Sequence, residues 1–226
     1  MLKKRINNML ISIRFWLYRR ALKNHSLSII SNNCWGGFMS QRMQVQYNSP
    51  FVGLFLFADD YIKLLQRIDL IYKPIIFISK KESKYEKLPE KKYVIGCLPG
   101  GIEIHFLHYH TQEEALSKWN KRLKRLDMNN LLVKFSERDG CTEHLIKEFD
   151  ALPFANKVCF TVRNYSQYKC TCLLKDQAGQ IQAEGYWKSS NKYWDIFLNA
   201  NIIGGYKNTL WIKLLCSTAN MLPINE

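Results

Sequence analysis

The sequence predicts an α/β fold: a mostly parallel sheet covered by helices, with a β-hairpin insertion and an N-terminal amphipathic helix. Three observations predict it. Short apolar runs without polar alternation recur along the chain, as they do in strands buried on both faces. Helical patterns separate most of these runs, the alternation of a sheet wound with helices. The stretch "GCLPGGIEIHF" departs from this: two apolar runs meet at Pro99-Gly100-Gly101, a turn that joins antiparallel strands. At 226 residues, 47% of them hydrophobic and 13% aromatic, the chain is long and apolar enough for one large globular domain.

The first element is the segment "MLKKRINNMLISIRFWLYRRALKN", residues 1–24. As a helix it gathers Leu2, Ile6, Met9, Leu10, Ile13, Trp16, Leu17 and Leu22 into one stripe, with basic residues around it. The apolar stretch Met9–Tyr18 is split by Arg14 and is too short to cross a bilayer. Arg19 and Arg20 follow it, where a secretory signal would place small residues. Residues 1–25 hold no acid and contribute +7 of the net +14. A basic amphipathic helix with a central tryptophan suits the surface of an anionic inner membrane. Packing against the domain, with the arginines solvated, is the plainer alternative. Residues 1–25 thus read as one element, and residues 26–226 as a single α/β domain.

Within that domain the strand candidates are Leu27–Ile30, Ile75–Ser79, Tyr93–Cys97, Ile102–Tyr109, Leu131–Phe135 and Val158–Val162. Helix candidates are Trp35–Met43, Asp59–Tyr72, Thr111–Leu126, Cys141–Phe149 and Thr209–Ser217. Thr111 opens "TQEE", a capping box in which Glu114 reaches back, and Leu116, Trp119, Leu123 and Leu126 follow as one face. The Lys-rich segment 80–92, "KKESKYEKLPEKK", reads as a solvated loop. Beyond residue 163 the pattern breaks into short, aromatic-rich pieces, and no internal repeat is visible.

The stretch "SNNCWGG" (31–37) stands where a strand ends and a helix begins, the usual ligand position of an open α/β sheet. Asn32 and Asn33 supply both donors and acceptors, and Gly36 and Gly37 would let the backbone approach a ligand. The N–H groups of a following helix favour an anion. Cys34 and Trp35 complete the stretch. Its glycine spacing is neither the Walker nor the Rossmann pattern. The alternative is a tight turn with Trp35 in the core. A second strand end, "LLVKFSERDGCTEHL", places Ser136, Arg138, Asp139 and Cys141 similarly. Asp139 is also a candidate cap for the helix after it. A helix start would lower the thiol pKa of Cys34 or Cys141, although inert buried cysteine is commoner.

In "GIEIHFLHYH", strand alternation puts Glu103, His105, Leu107 and Tyr109 on one face, and His108 and His110 on the apolar one. Glu103 can therefore orient His105 as a general base exposed at a cleft. A three-histidine metal site would need both faces, so no metal is expected. Asn48 and Ser49 precede Pro50 in a stiffened loop that could present them to a ligand, without the elbow motif of a serine nucleophile. The cysteines are odd in number and lack framework spacing. They read as reduced thiols, as in the cytoplasm.

Four ordered phrases, "IISNNCWGGF", "YNSPFVGLFLFADDYIKLL", "IEIHFLHYHTQEEALSKWNKR" and "LLVKFSERDGCTEHLIKEFDALPFANKVCFT", resemble an uncharacterised bacterial family. That family is catalogued as a domain of unknown function, and its members are often described as exopolysaccharide or capsule biosynthesis proteins. The resemblance covers roughly residues 26–163, with "YWDIFLN" at 193–199 as a further echo. The basic N-terminus reads as an addition to it.

The residue readings, with the resemblance supplying only the glycan context, lead to the expectation of a cytoplasmic, membrane-associated transferase that moves an acyl or sugar group from an activated anionic donor to a glycan or lipid-linked acceptor. Acetyl-CoA or a nucleotide-sugar would serve as donor substrate, and no resident cofactor is expected. Asn32, Asn33 and the Gly36–Gly37 backbone would hold the donor. His105 with Glu103 would deprotonate the acceptor, and Asp139 and Ser136 would position it. Acyl transfer is favoured because "FADD" (57–60) is a poor substitute for a D-x-D signature. A non-catalytic binding or scaffold component of an assembly complex is the second reading. Nucleic acid is not expected, because half the excess charge sits at one end and no binding motif accompanies it.

Overall fold

The computed structural model describes residues 27–42 and 44–173, together with Arg5, Ile6, Asn8, Met9, Ser12, Ile13 and Trp16. The helix expected at 209–217, the "YWDIFLN" stretch and Cys216 lie outside the described residues.

Four parallel strands form the larger sheet, in the order β1 (Ser28–Ser31), β5 (Leu131–Ser136), β6 (Lys157–Thr161) and β7 (Thr171–Leu173). The smaller sheet is antiparallel: β2 (Ile76–Ile78), β3 (Val94–Leu98) and β4 (Ile102–Phe106). It lies in the connection from β1 to β5, as the hairpin insertion expected. β2 was legible as a strand, and its pairing extends the hairpin to three strands. Pro99-Gly100-Gly101 turns the chain, with φ of +83° at Gly100 and +72° at Gly101. Nothing would obstruct a side chain at either glycine, so the left-handed backbone alone requires them.

The helices are α1 (Trp35–Arg42), α2 (Ala58–Gln66), α3 (Gln112–Leu123) and α4 (Glu143–Ala151). The long helix expected over 59–72 ends at Gln66, and Ile68–Tyr72 continues as a 3₁₀ turn. Thr111 accepts a hydrogen bond from the Glu114 amide at 3.1 Å. The Glu114 carboxylate accepts from the His110 amide, one residue before the expected partner. The buried face of α3 is also rotated from expectation: Ala115 and Trp119 are buried, and Leu116 is exposed.

β1, β5 and β6 are buried nearly throughout, which explains their unalternating sequences. Ile30, Val133, Phe135 and Cys159 join a core with Tyr61, Ile62, Ile146 and Phe149 from α2 and α4. α1 lies against β1 so closely that a Cβ on Gly36 would stand 2.9 Å from Ile29 Cγ2 and 3.3 Å from Ser31 Cβ.

The segment 54–58 ties the two sheets together. Leu56 N–H donates to the Asn32 carbonyl and Ala58 N–H to that of Asp139, both at 2.9 Å. Phe55 exchanges two 2.9 Å backbone bonds with His105 on β4.

Candidate functional site

Parallel pairing of β1 with β5, with Ser31 opposite Lys134, brings the ends of both strands to one edge of the sheet. The two loops expected to share a site therefore do meet. At their junction stands a residue the sequence reading passed over. Lys134 is fully buried, and its ammonium nitrogen reaches Asn33 Oδ1 at 3.0 Å, Asn32 Oδ1 at 3.3 Å and the Ser136 hydroxyl. Burial pushes the Lys134 pKa down to about 7, with Arg138 adding to the shift and Cys159, Asp139 and Cys34 opposing it. The signal was there to read: one lysine inside the apolar run "LLVKF" must go into the interior with the strand.

Asn33 Oδ1 also accepts from the Trp35 amide at 3.1 Å and so caps α1. The amide nitrogens of Asn32 and Asn33 are buried and, among the described residues, have no hydrogen-bond partner. Trp35 is fully buried, its ring 5.4 Å from that of Phe160, the core placement named as the alternative. The Cys34 thiol faces the Leu54 carbonyl at 3.8 Å.

Several expectations about these loops change. Gly36 is explained by its contact with Ile29, and a Cβ on Gly37 would stand 3.0 Å from Val52 Cγ1. Both glycines serve the close seating of α1, with no ligand needed to account for them. Asp139 does not cap α4. It turns the chain at φ +54° ahead of Gly140, and Thr142 Oγ1 caps the helix through the Leu145 amide. Burial raises the Asp139 carboxyl pKa against the pull of Arg138 and Lys134. Cys141 lies ahead of the helix, and burial pushes its thiol up to about 12, the reverse of an activated nucleophile. Ser49 accepts from the Phe51 amide and the Asn48 carbonyl from Ser28, so both help hold their own turn. Arg138 is exposed beside Asp139.

Glu103 and His105 do share a face of β4, with Nε2 3.5 Å from Glu103 Oε2. They are not exposed at a cleft. His105 is fully buried, stacked on Phe55 at 4.6 Å and edge-on to Phe57, with Nδ1 3.2 Å from the Tyr93 hydroxyl. Burial, then Lys84 and Lys80, lowers its pKa to about 4, so the imidazole is neutral at pH 7. β4 ends at Phe106, and His108 and His110 are exposed beyond it instead of continuing an apolar face.

Loop 80–92, expected to be solvated, is fastened over Glu103 and His105. Ser83 Oγ and the Lys84 amide donate to Glu103 at 2.6 and 2.8 Å. Lys84 Nζ pairs with buried Asp60 at 2.5 Å, and the Tyr85 ring stacks on Phe57 at 3.7 Å. Asp60 also accepts from the Glu103 amide at 2.9 Å. Both carboxylates are thus engaged by protein donors. Among the described residues, no hydrogen bond or ion pair joins the side chains of Glu103 and His105 to Lys134, Ser136 or the two asparagines. Lys134, Ser136 and the two asparagines form one cluster and Glu103 with His105 another, and segment 54–58 bonds to the backbone of both.

Residues 5–203 match a family described as a domain of unknown function, DUF1919. A Haemophilus influenzae protein, named "Uncharacterized protein", is 38% identical over 193 residues, covering 81% of this chain and 88% of the relative. The family match begins at residue 5, so the basic N-terminal segment falls within the shared domain and is not an addition to it. By the extent of the family match and the identity to this relative, the chain belongs to the DUF1919 domain family.

Proposed function

We propose that the protein is a transferase of bacterial surface-polysaccharide biosynthesis. It moves an acyl or sugar group, with acyl transfer favoured, from an activated anionic donor to a glycan or lipid-linked acceptor. One observation carries this reading: Lys134, Asn32, Asn33 and Ser136 converge at the carboxyl edge of a parallel sheet, with two amide nitrogens unspent. Such an edge is where open α/β sheets hold ligands. Buried donors without partners are uncommon in folded proteins and mark places where a ligand atom completes the bonding. The net charge of +14 draws anionic donors toward the molecule. The resemblance of the four sequence phrases to exopolysaccharide and capsule proteins supplies the glycan context.

In this reading the protein works on the cytoplasmic side of the inner membrane. Its N-terminal helix lies on anionic lipid, and acetyl-CoA or a nucleotide-sugar binds as a substrate. Ligand-induced stabilisation tests it directly. A donor at about 100 times its Kd stabilises the fold by about 2.7 kcal/mol, several degrees in Tm for a domain of this size. Acetyl-CoA should produce that shift in the wild type and much less in Asn32→Ala. If neither acyl-CoA esters nor nucleotide-sugars raise Tm, the transferase reading fails.

A further inference from the structure

We propose that Ser136 is a covalent nucleophile that carries the acyl group between donor and acceptor. Lys134 is its general base, and the Asn32 and Asn33 side-chain amides are its oxyanion donors. The proposal rests on the acyl-transfer reading above.

The argument begins with the bonding of one nitrogen. A neutral lysine amine has two N–H groups to donate and one lone pair to accept. Around Lys134 Nζ stand Asn33 Oδ1 at 3.0 Å, Asn32 Oδ1 at 3.3 Å and the Ser136 hydroxyl. The two amide oxygens can only accept, whereas the hydroxyl can also donate. No carboxylate forms an ion pair with Lys134 among the described residues, so no opposite charge in contact offsets a buried ammonium. The neutral amine satisfies all three partners in one way: its N–H groups point to the asparagines and its lone pair faces the serine O–H. That is the resting state of a serine activated by lysine.

Position supports the same assignment. Lys134 and Ser136 lie two residues apart on one face of β5, which is paired on both edges, by β1 and β6. Rigid elements hold reacting groups in register better than loops do. Each asparagine places its oxygen on Lys134, so its buried, unpartnered nitrogen stands within the same cluster. Donors already fixed and unspent are what a developing oxyanion needs. Two other candidates are engaged differently: Ser49 Oγ accepts from the Phe51 amide, and burial disfavours the Cys141 thiolate.

Ser136 Oγ attacks the carbonyl carbon of a thioester donor, forming an O–C bond as the C–S bond breaks. The serine proton passes to Lys134 Nζ and then to the departing thiolate. In the second half, an acceptor hydroxyl gives its proton to Lys134 and attacks the acyl carbon. Ser136 Oγ departs and takes that proton back. Thioester and alcohol become ester and thiol, with no change of oxidation state.

The test is to incubate full-length protein with acetyl-CoA, and separately with the small ester p-nitrophenyl acetate, then quench in acid and map acetyl groups by peptide mass spectrometry. The expected result is acetyl on Ser136, absent in Ser136→Ala, and formed about 10²–10⁴-fold more slowly in Lys134→Met. Lys134→Arg should be equally slow, because guanidinium keeps its proton. If a lysine variant fails to fold, the wild-type label and Ser136→Ala, which removes one atom, still decide the matter. Acetyl-CoA that raises Tm without acylating Ser136 overturns the covalent route and leaves the transferase reading standing. Acetyl found on Lys134 or a cysteine in place of Ser136 overturns it too. Failure of both donor binding and acylation removes the proposal together with the reading beneath it.

Discussion

His105 is held on many sides: by β3, by the backbone of Phe55, by four aromatic neighbours and by the strap of loop 80–92. Its removal is therefore first a packing event. His105→Ala should destabilise the protein by about 3 kcal/mol in urea unfolding, the range for emptying a buried ring site. Its titration adds a pH signature. The unfolded chain takes up a proton as pH falls through 6.5, whereas the folded imidazole waits until about 4. Across that window the unfolded state binds more protons, so stability falls with pH, by about 3 kcal/mol in total. His105→Phe should lose this slope while keeping most of the ring contact; an unchanged slope would assign the acid sensitivity to other groups. The pairing of Glu103 with His105 was legible because alternation along a strand is local. Their enclosure was not, since it depends on Ser83, Lys84 and Tyr85 returning from a segment whose composition reads as solvent-facing. Lys134 is the converse case: the apolar run around it signals burial that went unread, and only the register with β1 reveals that Asn32 and Asn33 receive it.

At the scale of elements, the seating of α1 on β1 fixes the position of Asn33, whose side chain both caps the helix and meets Lys134. A methyl group at residue 36 would meet Ile29 Cγ2 at a separation real side chains do not tolerate, and that neighbour sits in a packed strand. Gly36→Ala should therefore lower stability by about 1–3 kcal/mol, as overpacking does. It should also weaken donor-induced thermal shifts, because the helix start moves with its cap. Equal stability of the variant and wild type would mean that β1 yields at little cost. Strands β1 to β6, the hairpin turn and the capped start of α3 were readable because each rests on local signals: apolar runs, Pro-Gly-Gly, Thr111 with Glu114. The reach of α2 and the facing of Leu116 were not, because tertiary contacts decide where a helix ends and which stripe is buried.

At the scale of the whole molecule, Ile6, Met9, Ile13 and Trp16 expose between 40% and 56% of their surface and recur at helical spacing. Among the described residues, no helix is long and apolar enough to cross a membrane. An apolar stripe beside Arg5, in a segment without acidic residues, fits adsorption to lipid. Substituting Ile13→Glu together with Trp16→Glu should reduce binding to phosphatidylglycerol-containing vesicles at least tenfold in a sedimentation assay. Added salt should weaken the intact protein's binding by screening the basic residues. Point variants are preferable to deletion, because the family match includes this segment. Vesicle binding that survives the double substitution would remove the helix from the interaction.

The backbone exchange between Phe55 and His105 has a consequence for solubility. A three-stranded antiparallel sheet inserted into another fold has an outer strand whose unpaired amides and carbonyls invite a neighbouring chain to add on. On β4, Phe55 occupies that edge at His105, and Gly53 accepts from the His108 amide just beyond it, at 3.0 Å. Two short contacts from the chain's own connecting segment thus occupy part of the edge, and the apolar strand "IEIHF" is shielded there from self-association between molecules.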